Sequence, residues 1–242
     1  AEIIIGAPKA DDLRDSAHKL VDAGSVIVID GSTLLALPNV YYGSTAKAYA
    51  GTAVAVGHVD AVAGADIIIG APNDDAPATI NSKKLVDAGS VTVYNIADAT
   101  TPVIPKQYGA VPKVFLGKSV ASGDVNNDGF ADVVAGAPGD DTAATPSAKK
   151  MVDTGSVTIF YANNALIPKT FYGATPKAGL GNSVAVGNVD GDVDGKADII
   201  AGAWKDDFAA TPSSKKKVDA GSVSVWSGGD YSAIGSTLYG AV

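Results

Sequence analysis

Short apolar runs alternate with polar, glycine-rich turns along the whole chain, and this pattern predicts β-strands. The run AEIIIGAP at residue 1 returns as ADIIIGAP at 65, ADVVAGAP at 131 and ADIIAGAW at 197. Ile, Val, Thr and Tyr dominate the runs, whereas Gly, Pro, Asp and Asn fill the turns. No stretch shows the 3.6-residue apolar period of an amphipathic helix. We therefore expect an all-β protein.

The strands belong to a larger internal repeat of about 65 residues that occurs four times. Each unit holds up to four apolar runs: strand A (type SVAVG), strand B (type DIIIGA), strand C (type GSVTVY) and strand D, which leads into a Tyr-Gly pair. Strand B is apolar at successive positions, which indicates burial on both faces. The units span approximately residues 1–43, 44–109, 110–173 and 174–242, and the first lacks strand A, the innermost strand.

Four-stranded antiparallel units that repeat along a chain are typical of a β-propeller, in which each unit is one blade. A β-solenoid is the structural alternative, but its repeat is usually shorter. We expect residues 1–242 to form a single propeller domain. The absent strand leaves three alternatives: a fragment of a larger propeller, self-association through a strand from a neighbouring chain, or a four-bladed ring with one three-stranded blade.

Two loops between strands A and B carry the pattern of a calcium site. They read DVNNDGFAD at Asp124–Asp132 and DGDVDGKAD at Asp190–Asp198. Oxygen ligands at alternate positions can converge on one hard cation, and a glycine at position 6 lets the backbone turn. The alternative is an acidic turn without metal. The predicted ligands of two Ca²⁺ ions are Asp124, Asn126, Asp128, the Phe130 carbonyl and Asp132, and Asp190, Asp192, Asp194, the Lys196 carbonyl and Asp198.

The corresponding loop of the second unit does not keep this pattern. It reads HVDAVAGAD, with His58 at position 1 and only Asp60 and Asp66 as carboxylates. Two carboxylates are too few to enclose a hard cation. We therefore expect His58 to be a turn residue and the number of calcium sites to be two.

The combination of G-x-S-V-A, D-x-N-x-D-G-x-x-D and an apolar strand ending in Gly-Ala-Pro resembles the FG-GAP repeat of integrin α-subunit propellers. It looks most similar to secreted bacterial proteins with this repeat. The Phe-Gly pair of the repeat is replaced by Leu116-Gly117, Leu180-Gly181 and Ala50-Gly51. The resemblance implies a propeller, usually of seven blades, with calcium loops on one face and an extracellular or cell-surface location.

Composition narrows the possible functions. The net charge is −8 and Arg14 is the only arginine, which argues against nucleic-acid binding. There is no cysteine, and no apolar run reaches the roughly 18 residues of a membrane span. The two histidines lie in unlike contexts, and the carboxylates recur with the repeat, as structural residues do. We expect a protein that is not an enzyme.

The B–C loops of all four units carry an acidic pair and a lysine cluster. They are either a ligand surface or self-neutralising solvated loops. Trp204 replaces the proline of the other units and is the candidate ligand contact, for example by stacking on a sugar; packing under its own loop is the alternative. The leading functional hypothesis is a recognition or adhesion module that binds an extracellular protein. A glycan-binding lectin and a structural assembly subunit are the other two.

Overall fold

A computed structural model describes residues 2–15, 19–78, 83–141, 150–162, 166–191, 193–207 and 218–240. All named elements in these ranges are β-strands. Within the same ranges, no helix is long and apolar enough to cross a membrane. The expectation of an all-β chain is confirmed for this part of the protein.

The strands form four consecutive antiparallel sheets, each a simple up-and-down meander. The first sheet contains β1 (Glu2–Ala7), β2 (Ser25–Asp30) and β3 (Ala36–Tyr42). The second contains β4 (Ala53–Gly57), β5 (Asp66–Ala71), β6 (Ser90–Asn95) and β7 (Pro102–Tyr108). The third contains β8 (Ser119–Gly123), β9 (Asp132–Ala137), β10 (Ser156–Phe160) and β11 (Lys169–Tyr172). The fourth contains β12 (Leu180–Gly187), β13 (Asp198–Ala203), β14 (Ser222–Trp226) and β15 (Leu238–Tyr239).

The hydrophobic core lies between neighbouring sheets, and the B strands contribute to it from both faces. Every residue of β5 and β9 is buried. Ile67 packs toward the first sheet with Val26, whereas the next residue, Ile68, packs toward the third sheet with Val133. Successive side chains of a strand point to opposite faces, so a strand between two sheets must be apolar at every position. The prediction for strand B is confirmed.

Glycines in the B strands let neighbouring sheets approach closely. A Cβ built on Gly70 would lie 2.1 Å from the Gly117 carbonyl oxygen, and one on Gly136 would lie 1.9 Å from the Gly181 carbonyl oxygen. No side chain fits at such a contact, which explains the repeated Gly-Ala ending of these strands.

Contacts at the last residue of strand A show where the row of sheets is open. A Cβ built on Gly123, the last residue of β8, would lie 2.5 Å from Val186 of the fourth sheet. At the equivalent Gly187, in the fourth sheet, no heavy atom of a described residue lies within 4 Å of that position. At the other end, β1 is an edge strand on which Ile3 is 50% exposed. The described strands thus form an open row of sheets, and we call the fold propeller-like.

The aromatic residues of strand C pack between sheets. Trp226 of β14 stacks on Phe171 of β11 with ring centroids 4.5 Å apart. Tyr94 of β6 packs against Tyr41 of β3 with ring centroids 5.2 Å apart and the ring planes tilted by 43°. Trp226 is thus a packing residue between the third and fourth sheets.

Candidate functional site

The meander places the two kinds of long loop at opposite ends of the sheets. An A–B loop and a B–C loop leave the two ends of the same strand B, and the strands are antiparallel. The loops Asp124–Asp132 and Asp190–Asp198 therefore lie at one end, which we call the A–B end. The acidic and lysine-containing loops lie at the other, which we call the B–C end.

In the loop Asp124–Asp132, three side chains converge on the same backbone segment. The Asp128 amide donates to Asp124 Oδ1 at 3.1 Å and to Asn126 Oδ1 at 2.9 Å. The Gly129 amide donates to Asp124 Oδ2 at 2.8 Å, and Asn126 Nδ2 donates to Asp128 Oδ2 at 3.0 Å. Gly129 has a φ of 91°, in the left-handed region that glycine adopts without strain. The side-chain oxygens of positions 1, 3 and 5 are thus close together.

The loop Asp190–Asp198 lies beside the first one. Its Lys196 amide donates to Asp194 Oδ1 at 2.8 Å, the contact that the Phe130 amide makes to Asp128. Asn127 Nδ2 donates to the Asp194 carbonyl at 3.1 Å, so the loops touch. The predicted ligand Asp192 lies outside the described residues. Lys196 Nζ lies 3.3 Å from Asp194 Oδ2, which places a positive charge at this predicted site.

The oxygen atoms of these loops are of the kinds that a calcium ion binds. Carboxylate, amide and carbonyl oxygens are the ligands that Ca²⁺ takes, and positions 1, 3 and 5 of the first loop bring such oxygens together. Within the part of the chain that the structure describes, however, no group of three or more His, Asp or Glu side chains is arranged as a metal-ligand cluster. Carboxylates and the asparagine of the first loop accept hydrogen bonds from the loop itself. The chemistry of the donor set fits calcium, and the two sites stay predictions.

The aspartate at position 9 has a structural role that the sequence did not reveal. Asp132 Oδ2 accepts from the Val125 amide at 3.1 Å, and its Oδ1 accepts from the Ala162 amide of the C–D loop at 3.0 Å. Asp66 makes the corresponding bonds, to the Val59 amide at 2.7 Å and to Asn95 Nδ2 at 3.2 Å. The aspartate at this position therefore ties the A–B loop to the C–D loop in the third unit and to Asn95, at the end of strand C, in the second unit, which lacks the calcium pattern.

Burial also changes the acidity of these aspartates. Burial raises the pKa of Asp132 to about 6, and the nearby charges of Asp128 and Asp124 oppose ionisation further. Burial raises the pKa of Asp66 as well, with a smaller contribution from Asp60. Asp132 is thus close enough to the other carboxylates of its loop to interact with them electrostatically.

At the B–C end, one aspartate of the acidic pair forms an ion pair with a lysine of the same loop in three units. It is the first residue of the pair in the first unit and the second residue in the next two. Lys19 Nζ lies 2.8 Å from Asp11, Lys84 Nζ lies 2.6 Å from Asp75, and Lys150 Nζ lies 2.7 Å from Asp141. The three lysine side chains are 49–55% exposed. These ion pairs are what the interpretation of the loops as self-neutralising predicts; parts of all four loops lie outside the described residues.

In the second and fourth units, the first aspartate of the pair is buried and binds hydroxyl groups, which the sequence did not reveal. Asp74 accepts from Ser90 Oγ at 2.7 Å within its own sheet and from Thr45 Oγ1 at 2.7 Å in the segment that enters it. Asp206 repeats the arrangement, with Ser222 Oγ at 2.7 Å and Thr175 Oγ1 at 2.5 Å. These aspartates tie the B–C loops to strand C and to the D–A segments, as we call the connections from strand D of one sheet to strand A of the next (residues 43–52, 109–118 and 173–179).

The candidate ligand contact Trp204 lies at this B–C end. Its side chain is 56% exposed, and Lys205 Nζ lies 4.2 Å from the ring centroid. The indole lines a cavity of about 610 Å³ rather than lying buried beneath its loop.

The fold and its loops define an all-β, propeller-like repeat protein with acidic loops at both ends of its sheets. Residues 116–160 match the family model of the FG-GAP repeat. The match runs from the start of the third sheet through β8, the loop Asp124–Asp132 and β9 to the end of β10. The chain therefore carries an FG-GAP repeat, and the resemblance predicted from its sequence is confirmed over this segment.

Proposed function

We propose that this protein is a calcium-stabilised, non-enzymatic recognition module that works outside the cell or at its surface. The observation that carries the proposal is the coincidence of two features in one segment. The FG-GAP match contains the loop Asp124–Asp132, and in that loop the side-chain oxygens of Asp124, Asn126 and Asp128 converge. FG-GAP repeats build integrin-like propellers, which serve recognition rather than catalysis.

Calcium would act on the scaffold in this proposal. The two candidate loops lie side by side, because the Ala197 amide donates to the Asp124 carbonyl at 2.8 Å and Asn127 donates to the Asp194 carbonyl. Several carboxylates close together repel each other at neutral pH, and a divalent cation removes that repulsion. An ion in each loop would therefore fix the A–B loops of the third and fourth sheets relative to each other.

Recognition is assigned to the B–C end. Loops held by a rigid scaffold commonly carry binding residues, and here buried aspartates hold the loop bases in place. A protein ligand is the primary candidate. A glycan is the second candidate, and the exposed Trp204 beside Lys205 is the observation that favours it.

Thermal unfolding with calcium or with a chelator tests the proposal. We expect calcium to raise the melting temperature of the wild-type chain and to have a reduced effect on Asp128→Ala and on Asp194→Ala. Asp60→Ala is the matched control, because Asp60 lies in the A–B loop that lacks the pattern, and it should respond as the wild type does. A melting temperature that is the same with calcium and with chelator would refute the calcium part of the proposal.

A further inference from the structure

The cavity at the B–C end lies where the second, third and fourth sheets meet. It is lined by residues from the B–C loops and D–A segments of these sheets, and we call it the inter-sheet cavity. Its volume of about 610 Å³ is in the range of small-molecule sites. The residues that matter for the inference are Phe115, Lys118, Lys177, Asn182, Trp204 and Lys205.

The fourth unit differs from the other units at two positions that contact each other, Trp204 in the B–C loop and Gly179 in the preceding D–A segment. The D–A segments carry Tyr49 and Phe115 where the third such segment has Gly179, and the B–C loops carry proline where the fourth sheet has Trp204. A Cβ on Gly179 would lie 2.8 Å from Trp204 Nε1. The glycine therefore leaves the space that the indole edge occupies. The aromatic group has moved from the D–A segment to the B–C loop, which presents it to the cavity.

The charge of the inter-sheet cavity is opposite to that of the whole chain. Lys118, Lys177 and Lys205 line it, and among the described residues of its lining Asp153 is the only acidic one. Neither Lys118 nor Lys177 forms an ion pair with any described residue, and both are exposed. In a chain with a net charge of −8, such a cluster of cations attracts an anionic ligand.

The groups around the cavity suit a carboxylated sugar better than a bare phosphate. A bare phosphate has no ring to pack on the exposed indole of Trp204, and phosphate sites often use several free backbone amides. The amides that start the second and fourth B–C loops are already bonded: Asn73 N donates to the Ala48 carbonyl and Lys205 N to the Ala178 carbonyl. The polar groups left to contact a ligand are the lysine ammonium groups and the side-chain amide of Asn182, which can form hydrogen bonds with the hydroxyl groups of a sugar.

We propose that the inter-sheet cavity binds an acidic saccharide of the uronate class. The exposed indole of Trp204 stacks on a pyranose ring, and the ammonium groups of Lys118 and Lys177 pair with its carboxylates. The inference rests on the proposed function as a recognition module and names its ligand class.

Tryptophan fluorescence can test this site directly. The chain has two tryptophans, and Trp226→Phe keeps an aromatic ring against Phe171 while leaving Trp204 as the only indole. In this background, a trimer of galacturonic acid is titrated with calcium held constant. Its methyl ester is titrated in parallel, because the ester has the same rings without the charges. We expect a saturable change of Trp204 fluorescence and binding of the acid at least about tenfold tighter than of the ester.

Variants separate the roles of the residues. Lys118→Gln with Lys177→Gln should remove most of the preference for the acid. Trp204→Ala removes the reporting indole, so its binding is measured by titration calorimetry, and it should abolish binding of both forms. Lys47→Gln is the matched control, because Lys47 occupies the equivalent place in the first D–A segment, has a similar φ of 61°, and does not line the cavity. Equal binding of acid and ester, unchanged binding in the double variant, or binding of neither sugar would overturn the inference.

The outcomes also separate this inference from the proposed function. Failure to bind either sugar, together with a calcium-dependent melting temperature, would refute the saccharide site and leave the recognition module in place. Binding of the acid without any effect of calcium on stability would refute the calcium part of the proposed function and leave the saccharide site in place.

Discussion

The ion pair between Lys106 and Asp74 offers the sharpest test of how the B–C end is held together. The Asp74 side chain is fully buried and that of Lys106 is 22% exposed. Burial alone would raise the pKa of Asp74, but the charge of Lys106 and hydrogen bonds from Lys106, Ser90 and Thr45 outweigh it and hold the pKa below its ordinary value of 3.8. We predict that Lys106→Met destabilises the protein substantially.

The magnitude follows from the surroundings of the carboxylate. Removing one partner of a buried ion pair costs about 3–5 kcal/mol. Lys106 is partly exposed, and the hydroxyl groups of Ser44, Thr45 and Ser90 still donate to Asp74 in the variant. We therefore expect a loss of about 2–3 kcal/mol in the free energy of unfolding, measured by urea denaturation. For a chain of this size, that loss lowers the melting temperature by about 4–12 °C.

Two matched variants make the test specific. Lys84→Met removes an ion pair in which the lysine is 53% exposed, so it should cost at most about 1 kcal/mol. Asp140 occupies the place of Asp74 in the third sheet, but burial raises its pKa, and hydrogen bonds from Ser156 and Asp141 do not compensate. Asp140→Asn should therefore cost little at pH 7, whereas Asp74→Asn should be clearly destabilising.

The pH dependence gives an independent check. The pKa of Asp74 is lower in the folded chain than in the unfolded chain, where it is about 3.8. Ionised Asp74 therefore stabilises the fold at pH values above the pKa of the unfolded chain, and this contribution is lost as the pH falls through the pKa of the folded chain. The difference between wild type and Lys106→Met should be full above about pH 5 and shrink in more acidic solution. A Lys106→Met variant no less stable than Lys84→Met, or a difference that does not change with pH, would refute the reasoning.

Two further predictions address the repeat itself. Gly179→Phe should lower the melting temperature by several degrees, because its Cβ would clash with Trp204, and adding Trp204→Pro should recover most of the loss by restoring the residue pair of the other units. No recovery would show that the two positions are not coupled. Asp66→Ala should cost about 1–3 kcal/mol in urea denaturation, with or without calcium, because it leaves the buried Val59 amide without its acceptor. A loss seen only with calcium would contradict the structural role.

The sequence was sufficient to predict the strands and their antiparallel order, because the pattern of the repeat reports burial directly. Strand B is apolar at every position since it lies between two sheets, and aromatic residues of strand C such as Trp226 pack at the same interfaces. The first sheet has three described strands, as the repeat count indicated. The described sheets form an open row, and closure into a propeller, with residues 1–242 as a single domain, stays a prediction.

The roles of the acidic residues were harder to predict, because one residue type serves several purposes within one repeat. Asp132 fits the calcium pattern by spacing, yet both of its oxygens bind backbone amides. Asp74 and Asp75 are neighbours in sequence, but one is fully buried in a network that reaches the preceding D–A segment and the other pairs with an exposed lysine. These roles can be distinguished only by contacts between residues that lie far apart in the sequence.

The position of Trp204 illustrates the same limit. The replacement of proline by tryptophan is visible in the sequence, and so is Gly179. That the two changes are coupled depends on the 2.8 Å approach between segments of neighbouring sheets, which no spacing along the chain reveals.

Calcium stoichiometry tests the central claim most directly. Titration calorimetry of the chelator-treated chain should show two bound Ca²⁺ per chain, falling to one in Asp128→Ala and to one in Asp194→Ala, and staying at two in Asp60→Ala. No heat of binding in the wild type, or two ions still bound in both loop variants, would contradict the assignment of the loops Asp124–Asp132 and Asp190–Asp198 as calcium sites.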